Sequence, residues 1–304
     1  MHDDVESGDE VEISPGDFYE ADNIQLTTVG IDVGSSTSHL MFSHLHLQRL
    51  GKFLSSRYVV VERKVIYRSA VLLTPYNPDY TIDAGGLEVF FREAYREAGF
   101  TPNAVDTGAI ILTGEAVKRT NARAIADLFA SQAGKFVCAS AGPNLEAIMA
   151  ANGSGAIALS RNSQGTVLNV DIGGGTCKLC LVRDGEILET AALNVGGRLV
   201  AVDGDGRVTR IENTVRAVVE ALGIDLRLDW VLSPDDRERL AETLADYLFA
   251  VVRREQLPPL AAQMLLTPPP NSMEPVDAVV FSGGVSEYIY QREERDFGDL
   301  GHLL

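Results

Sequence analysis

The sequence predicts an α/β protein made of two related, layered units, and three observations predict it. Short β-branched runs alternate with helical patterns from Ile24 onward. A seven-residue motif stands at residues 31–37 and again at 170–176, and a third strand near the end runs into a Gly-Gly turn at Gly283-Gly284. With 304 residues and 45% apolar composition, the chain can bury cores for two such units. A formal charge of -17 argues against a surface built to neutralise nucleic-acid phosphates or anionic lipid, so neither a nucleic acid nor a membrane is an expected partner.

Residues 1–23 are acidic, with no Lys or Arg and few large apolar groups, so they read as a disordered, solvated tail. The first unit is expected over 24–165. Its strands are LTTVGI, HLMFSHL and RYVVVERKVIYR, followed by a helix over 87–98, a strand over 109–113 and a helix over 122–132. The second unit, 166–304, opens on TVLNVDIGGGTCKLCLVRDGEILETAALNV, two strand-like runs joined by the hairpin signal Asp184-Gly185. A helix over 234–254 begins at a proline and carries Leu240, Leu244, Tyr247, Leu248 and Val251 on one face, which predicts core packing. The proline-punctuated stretch LPPLAAQMLLTPPPNSMEP leads to a strand over 276–281. The helix expected after Ser286 has only the residues to Leu304 behind it, so the second unit is expected to be incomplete at its C-terminus, with apolar surface left open.

In each copy of the motif an apolar strand reaches an Asp and then a turn of small residues: Asp32, Gly34, Ser35, Ser36 and Thr37, then Asp171, Gly173, Gly174, Gly175 and Thr176. A second strand leads away, so each turn is expected to be a hairpin tip. Small residues let backbone N–H groups approach phosphate oxygens, the hydroxyls add donors, and an Asp at a strand end can hold a hydrated Mg²⁺. Two such tips facing each other would clamp a polyphosphate, with Asp32 and Asp171 as metal-side carboxylates. Gly283, Gly284 and Ser286 form a third, weaker turn of the same kind.

With these three loops in this order, the sequence resembles the actin-like ATPase superfamily over residues 24–290. Asp32 to Thr37 resembles its first phosphate loop, Asp171 to Thr176 its second, and Phe281 to Ser286 its adenosine loop. The resemblance implies two duplicated ribonuclease-H-like domains of the actin and heat-shock-chaperone ATPase type, binding ATP and Mg²⁺. Within the superfamily, phrases such as Thr113-Gly114-Glu115-Ala116 and Ser140-Ala141-Gly142-Pro143 are similar to those of the ethanolamine ammonia-lyase reactivating factors. That implies an ATP-dependent chaperone that acts on ethanolamine ammonia-lyase, releasing damaged cobalamin. It also implies a cytoplasmic place, with a bacterial microcompartment as a site of association; a homo-oligomer is compatible with it. Two other classes share the fold: a sugar or acid kinase, and a nucleotide-binding scaffold or filament protein.

The resemblance assigns catalysis to Glu146 with Asp32 and Asp171. Glu146 falls where the superfamily places a carboxylate that orients the attacking water, and a helix-start Glu favoured by the macrodipole is the plainer reading. Glu115 competes for the same role. Gly196-Gly197 resembles the Gly-Gly that heat-shock chaperone ATPase domains set beside the phosphates, against the plainer reading of a simple turn. Lys178 and Arg198 are cations with no direction assigned. Cys177 and Cys180 have metal-site spacing, but on a strand positions i and i+3 face opposite sides, so both read as buried thiols. His44 and His46 share a strand face with no third ligand nearby. Three cysteines cannot all pair, and no 18-residue apolar run is present, which sets a reducing interior as the expectation.

Overall fold

The computed structural model describes residues 22–34, 37–49, 57–77, 81–113, 136–272 and 274–304. Residues 1–21 of the tail expected over 1–23, Ser35 and Ser36, Glu115 and the expected helix over 122–132 lie outside these residues, while Asn23, at the end of that expected tail, opens the first strand.

The first sheet is a meander extended by two parallel strands. β1 (Asn23–Val33), β2 (Thr37–Arg49) and β3 (Tyr58–Arg68) pair antiparallel, with the short β4 (Leu72–Leu73) also on β2. β5 (Thr107–Leu112) then lies parallel to β1, and β6 (Phe136–Ser140) parallel to β5. The spatial order is β3-β2-β1-β5-β6. β1 alternates as its pattern demands: Val29, Ile31 and Val33 are buried, while Gly30 and Asp32 take the other face. α1 (Ala84–Ala98) covers the buried face with Leu87, Phe91 and Ala94, packed in one core with Leu40, Phe42 and Ile110. Its limits are chemical. Asp83 caps the start, accepting from the Gly86 N–H at 3.1 Å, and Gly99 ends it at φ 73°. Phe100, just beyond, stacks on Phe42 with ring centroids 4.7 Å apart.

The second sheet repeats this order. β7 (Thr166–Ile172), β8 (Cys177–Arg183) and β9 (Glu186–Leu193) form the meander, and β12 (Ala278–Ser282) lies parallel to β7, in the order β12-β7-β8-β9. Strand for strand this matches β5-β1-β2-β3, so the protein is α/β with a duplicated ribonuclease-H-like topology. The Asp184-Gly185 turn has φ 52° and 82°, the paired positive values that a tight hairpin between right-twisted strands requires.

β7 and β8 are buried on both faces. One face meets α5 (Pro234–Val252), which Ser233 caps and whose Leu240, Leu244, Leu248 and Val251 enter the largest core with Leu168, Val170 and Leu179. A hairpin of β10 (Val200–Val202) and β11 (Val208–Ile211), the short helix α4 (Arg216–Ala221) and the loop after it add Val200, Val208, Val218 and Ile224 to that core, beside α6 (Pro259–Gln263). The other face meets α2 (Pro143–Gly153) and α3 (Ala156–Ser163). Their Ala147, Ala151 and Ala156 pack against Val167, Cys180 and Val182. Both helices precede the boundary expected at residue 165, yet their apolar contacts are with the second sheet.

The expected helix after Ser286 is a single turn, α7 (Ser286–Ile289). The chain then folds back over the open end: Leu300 is fully buried in the large core, its N–H bonds the Gly197 carbonyl at 2.6 Å, and Asp299 pairs with Arg198 at 2.6 Å. Residues 297–304 thus occupy part of the surface that the sequence alone leaves uncovered. Among the described residues no helix is long and apolar enough to cross a membrane.

Candidate functional site

The two hairpin tips are built alike. The Gly34 N–H donates to the Thr37 carbonyl at 2.9 Å, and the Gly173 N–H to the Thr176 carbonyl at 3.0 Å. A Cβ on Gly34 would stand 2.9 Å from the Thr37 oxygen, so the first turn closes only around a glycine. Strand register then fixes what faces each Asp: Asp32 lies directly across from His39, and Asp171 directly across from Lys178. Residues opposite in an antiparallel pair share a face, so each carboxylate has a basic neighbour beside it.

The Gly196-Gly197 turn is clasped onto the second tip. The Gly197 N–H bonds the Gly173 carbonyl at 3.0 Å and the Arg198 N–H bonds the Gly174 carbonyl at 2.6 Å. A Cβ on Gly196 would lie 2.5 Å from the Gly174 oxygen, closer than any side chain tolerates. Gly174 and Gly175 form the bend between these contacts and Thr176, which is buried. The third turn joins from β12. Ser282 donates to Asp171 Oδ1 at 2.9 Å, and the Ser286 hydroxyl donates to the Gly283 carbonyl at 2.7 Å. Gly283 itself abuts the end of β7, whereas Gly284 faces open space.

Glu146 reaches the same place from α2. The helix begins at Gly142-Pro143, and burial of Ala147 and Ala151 against Cys180 and Val182 turns its first-turn carboxylate toward the sheet end. Glu146 is 8% exposed, and its Oε2 lies 2.8 Å from Lys178 Nζ. Burial raises the Asp32 carboxyl above its ordinary value of 3.8, against the opposing pull of His39, Lys178 and the Thr113 hydroxyl. Burial likewise raises Asp171, opposed by Lys178 and the Ser282 hydroxyl. Glu146 pushes both further up. Two sheets and one helix therefore bring three carboxylates and one ammonium into a common electrostatic cluster.

The donor set suits a hydrated divalent cation and a phosphate chain. Asp32 accepts the Thr113 hydroxyl at 3.3 Å and Asp171 accepts Ser282 through Oδ1, which leaves carboxylate oxygens for the water shell of a hard cation. Between Gly173 and Thr176 the bend carries no side chains, which suits close approach of phosphate oxygens to its backbone.

Other expectations resolve separately. Arg198 is committed to Asp299 and is not aimed at the tips. His44 and His46 lie on β2 among polar neighbours: His44 Nδ1 is 3.4 Å from Thr27 Oγ1, and His46 Nε2 is 2.9 Å from Asn23 Oδ1. Among the described residues no group of three or more His, Cys, Asp or Glu is arranged as metal ligands. Cys177 enters the large core while Cys180 enters the α2 and α3 side, on opposite faces of β8. Burial pushes both thiols up, Cys180 to about 11. Site-resolved alkylation at pH 8 is therefore expected to label both only as the chain unfolds; rapid native labelling of either would show that β8 is open.

His39 and Thr113 join the site only through the strand pairing of β1 with β2 and β5. A signal for His39 was present, since the seventh residue after each motif Asp is basic, His39 and then Lys178.

Comparison with known proteins decides the family. The sequence model of the ethanolamine utilisation protein EutA family matches residues 24–304, a span that takes in every loop described above. The chain belongs to the EutA family. Two curated EutA relatives carry the name ethanolamine ammonia-lyase reactivase. The chain is 36% identical to the Salmonella typhimurium protein over 288 residues and 37% identical to that of Escherichia coli over 289. Each alignment covers 92% of this chain and 60% of the relative, so the chain spans about three fifths of these EutA proteins. Among solved structures, the Aquifex aeolicus PPX-GppA enzyme superposes with a TM-score of 0.47 and 14% identity, over 88% of this chain and 70% of that one.

Proposed function

We propose that this chain binds Mg·ATP between its two hairpin tips and is the nucleotide-hydrolysing part of a reactivating chaperone for ethanolamine ammonia-lyase. The observation that carries this reading is the cluster of Asp32, Asp171, Glu146 and Lys178 at the ends of two duplicated sheets. EutA membership and the names of its relatives support the partner. A cytoplasmic place near a microcompartment is part of the same proposal.

Each element has a stated task. Backbone N–H groups of the two turns, beyond the Gly34 and Gly173 donors that close them and as far as Thr37 and Thr176, bind phosphate oxygens, Gly196-Gly197 braces the second tip, and Gly283, Gly284 and Ser286 flank the nucleoside. Asp32 and Asp171 hold the water shell of Mg²⁺, which when bound would neutralise phosphate charge. Glu146 orients a water molecule and accepts its proton. Asp32 rides on the sheet of the first unit, 24–165, while Asp171 and Lys178 ride on that of the second, 166–304. A ligand that binds both tips favours a closed arrangement over an open one, which is the coupling a chaperone requires.

Asp32→Ala and Asp171→Ala are each expected to weaken Mg·ATP by about 10- to 100-fold, the range for lost outer-shell metal partners. Calorimetry with EDTA in place of Mg²⁺ should show little loss. Equal losses in both conditions would make these aspartates supports for their turns. The test of the whole reading supplies ethanolamine ammonia-lyase inactivated by cyanocobalamin with this chain, ATP, Mg²⁺ and adenosylcobalamin. Ammonia release that returns only with ATP supports it. Phosphate transfer to a small metabolite faster than ATP hydrolysis would replace it with a kinase.

A further inference from the structure

The duplicated hairpins share more than their glycine turns. In each, the residue opposite the motif Asp is basic, but the two cations are held differently. His39 is 48% exposed and its Nδ1 stands 4.0 Å from Asp32 Oδ2. Lys178 is 11% exposed and 2.8 Å from Glu146 Oε2. Its neighbours on β8, Cys177 and Leu179, point into the large core, so Lys178 takes the face that α2 covers, beside Asp171. From there the same ammonium acts on Asp32 as well as on Asp171. Lys178 is thus a buried cation among three carboxylates beside the hairpin tips, the place that the proposed function gives to the phosphates.

A lysine carries three donors on a flexible four-carbon stem, so it can change partners without moving its backbone. A terminal phosphate brings more negative charge and more acceptor oxygens than one carboxylate. We propose that Lys178 is a sensor of the terminal phosphate of a nucleoside triphosphate: that phosphate draws the ammonium from Glu146, and the freed carboxylate turns to the attacking water. With a diphosphate the Lys178–Glu146 pair stays closed and Glu146 stays occupied. One side chain thereby links recognition of the triphosphate to arming of the base. This rests on the reading of the cleft as a Mg·ATP site.

The test measures ATP and ADP affinity, each with Mg²⁺, for the whole chain and for Lys178→Met, Lys178→Arg and the double variant Glu146→Gln/Lys178→Met, with a thermal midpoint for each. Lys178→Met is expected to lose about tenfold or more in ATP affinity, the size of a charge-assisted contact, with ADP changed less than about threefold. Lys178→Arg should keep part of the ATP preference. Lys178→Met should also lower the midpoint, because Glu146 is left buried without its cation. Glu146→Gln in the double variant removes that charge, so the midpoint should recover while the ATP preference stays lost. Equal losses of ATP and ADP affinity, or an ATP preference restored in the double variant, would reduce Lys178 to a neutraliser of Glu146 and overturn the sensor alone. A wild-type chain that binds neither nucleotide would overturn the Mg·ATP reading itself, and the sensor with it.

Discussion

Glu146→Gln is expected to lower ATP hydrolysis by about 10² to 10⁴, the range for a lost general base, while ATP binding stays within a few fold. The amide keeps the size of the side chain and a carbonyl acceptor for Lys178 Nζ, which lies 2.8 Å from the carboxylate in the native protein. What it removes is the basicity that the proposed mechanism uses to take a proton from water. Packing should survive, because α2 is held to the sheet by Ala147 and Ala151 rather than by Glu146. Phosphate release under saturating ATP and calorimetric titration together separate the two effects. On the proposed chaperone reading, the variant should then engage ethanolamine ammonia-lyase in the presence of ATP yet fail to cycle. Hydrolysis within threefold of the native rate would move the base assignment elsewhere, with Glu115 the next residue to test.

Gly283→Ala is expected to destabilise the chain by about 3 kcal/mol, whereas Gly284→Ala next to it should change stability by less than about 0.5 kcal/mol. Gly283 has φ +83°, and a Cβ there would lie 2.4 Å from the Ile172 carbonyl oxygen. The left-handed backbone costs an L-residue about 1 to 2 kcal/mol, and the clash with β7 backbone adds a comparable amount because no rotamer relieves it. Gly284 has no atom within 4 Å of its would-be Cβ and no positive φ. Chemical denaturation of the two variants supplies the comparison. Equal stabilities would mean that the third turn is not seated on the end of β7. The same contact predicts that Gly283→Ala disturbs Asp171 more than Asp32, since Ser282, which bonds Asp171, precedes the displaced residue.

Much of the architecture is legible in local pattern. Apolar, β-branched runs in 23–33 and 166–172 mark the central strands, Asp184-Gly185 marks the hairpin, and the spacing of Leu240, Leu244, Leu248 and Val251 marks the buried face of α5. The repeated Asp, glycine turn and Thr disclose the duplication, and strand periodicity alone places Cys177 and Cys180 on opposite faces. These features depend on residues within one element or one turn, and backbone geometry carries them directly.

Other features depend on which surfaces meet. Small apolar residues on α2 and α3 show that the helices are buried but not on which sheet, and the structure packs them on β7 and β8 although they precede the expected boundary. The direction of Lys178 follows from that choice, because only α2 on that face brings Glu146 to it. Arg198 likewise reads as a free cation until residues 297–304 fold back and supply Asp299. By itself the sequence determined two duplicated α/β units with Asp-tipped glycine turns, since periodicity and turn chemistry are local. The tertiary structure decided how Glu146, Lys178, Asp32 and Asp171 combine. Their partnerships join residues distant along the chain, and hydrophobic burial, which sets how the elements dock, constrains face and area but names no partner.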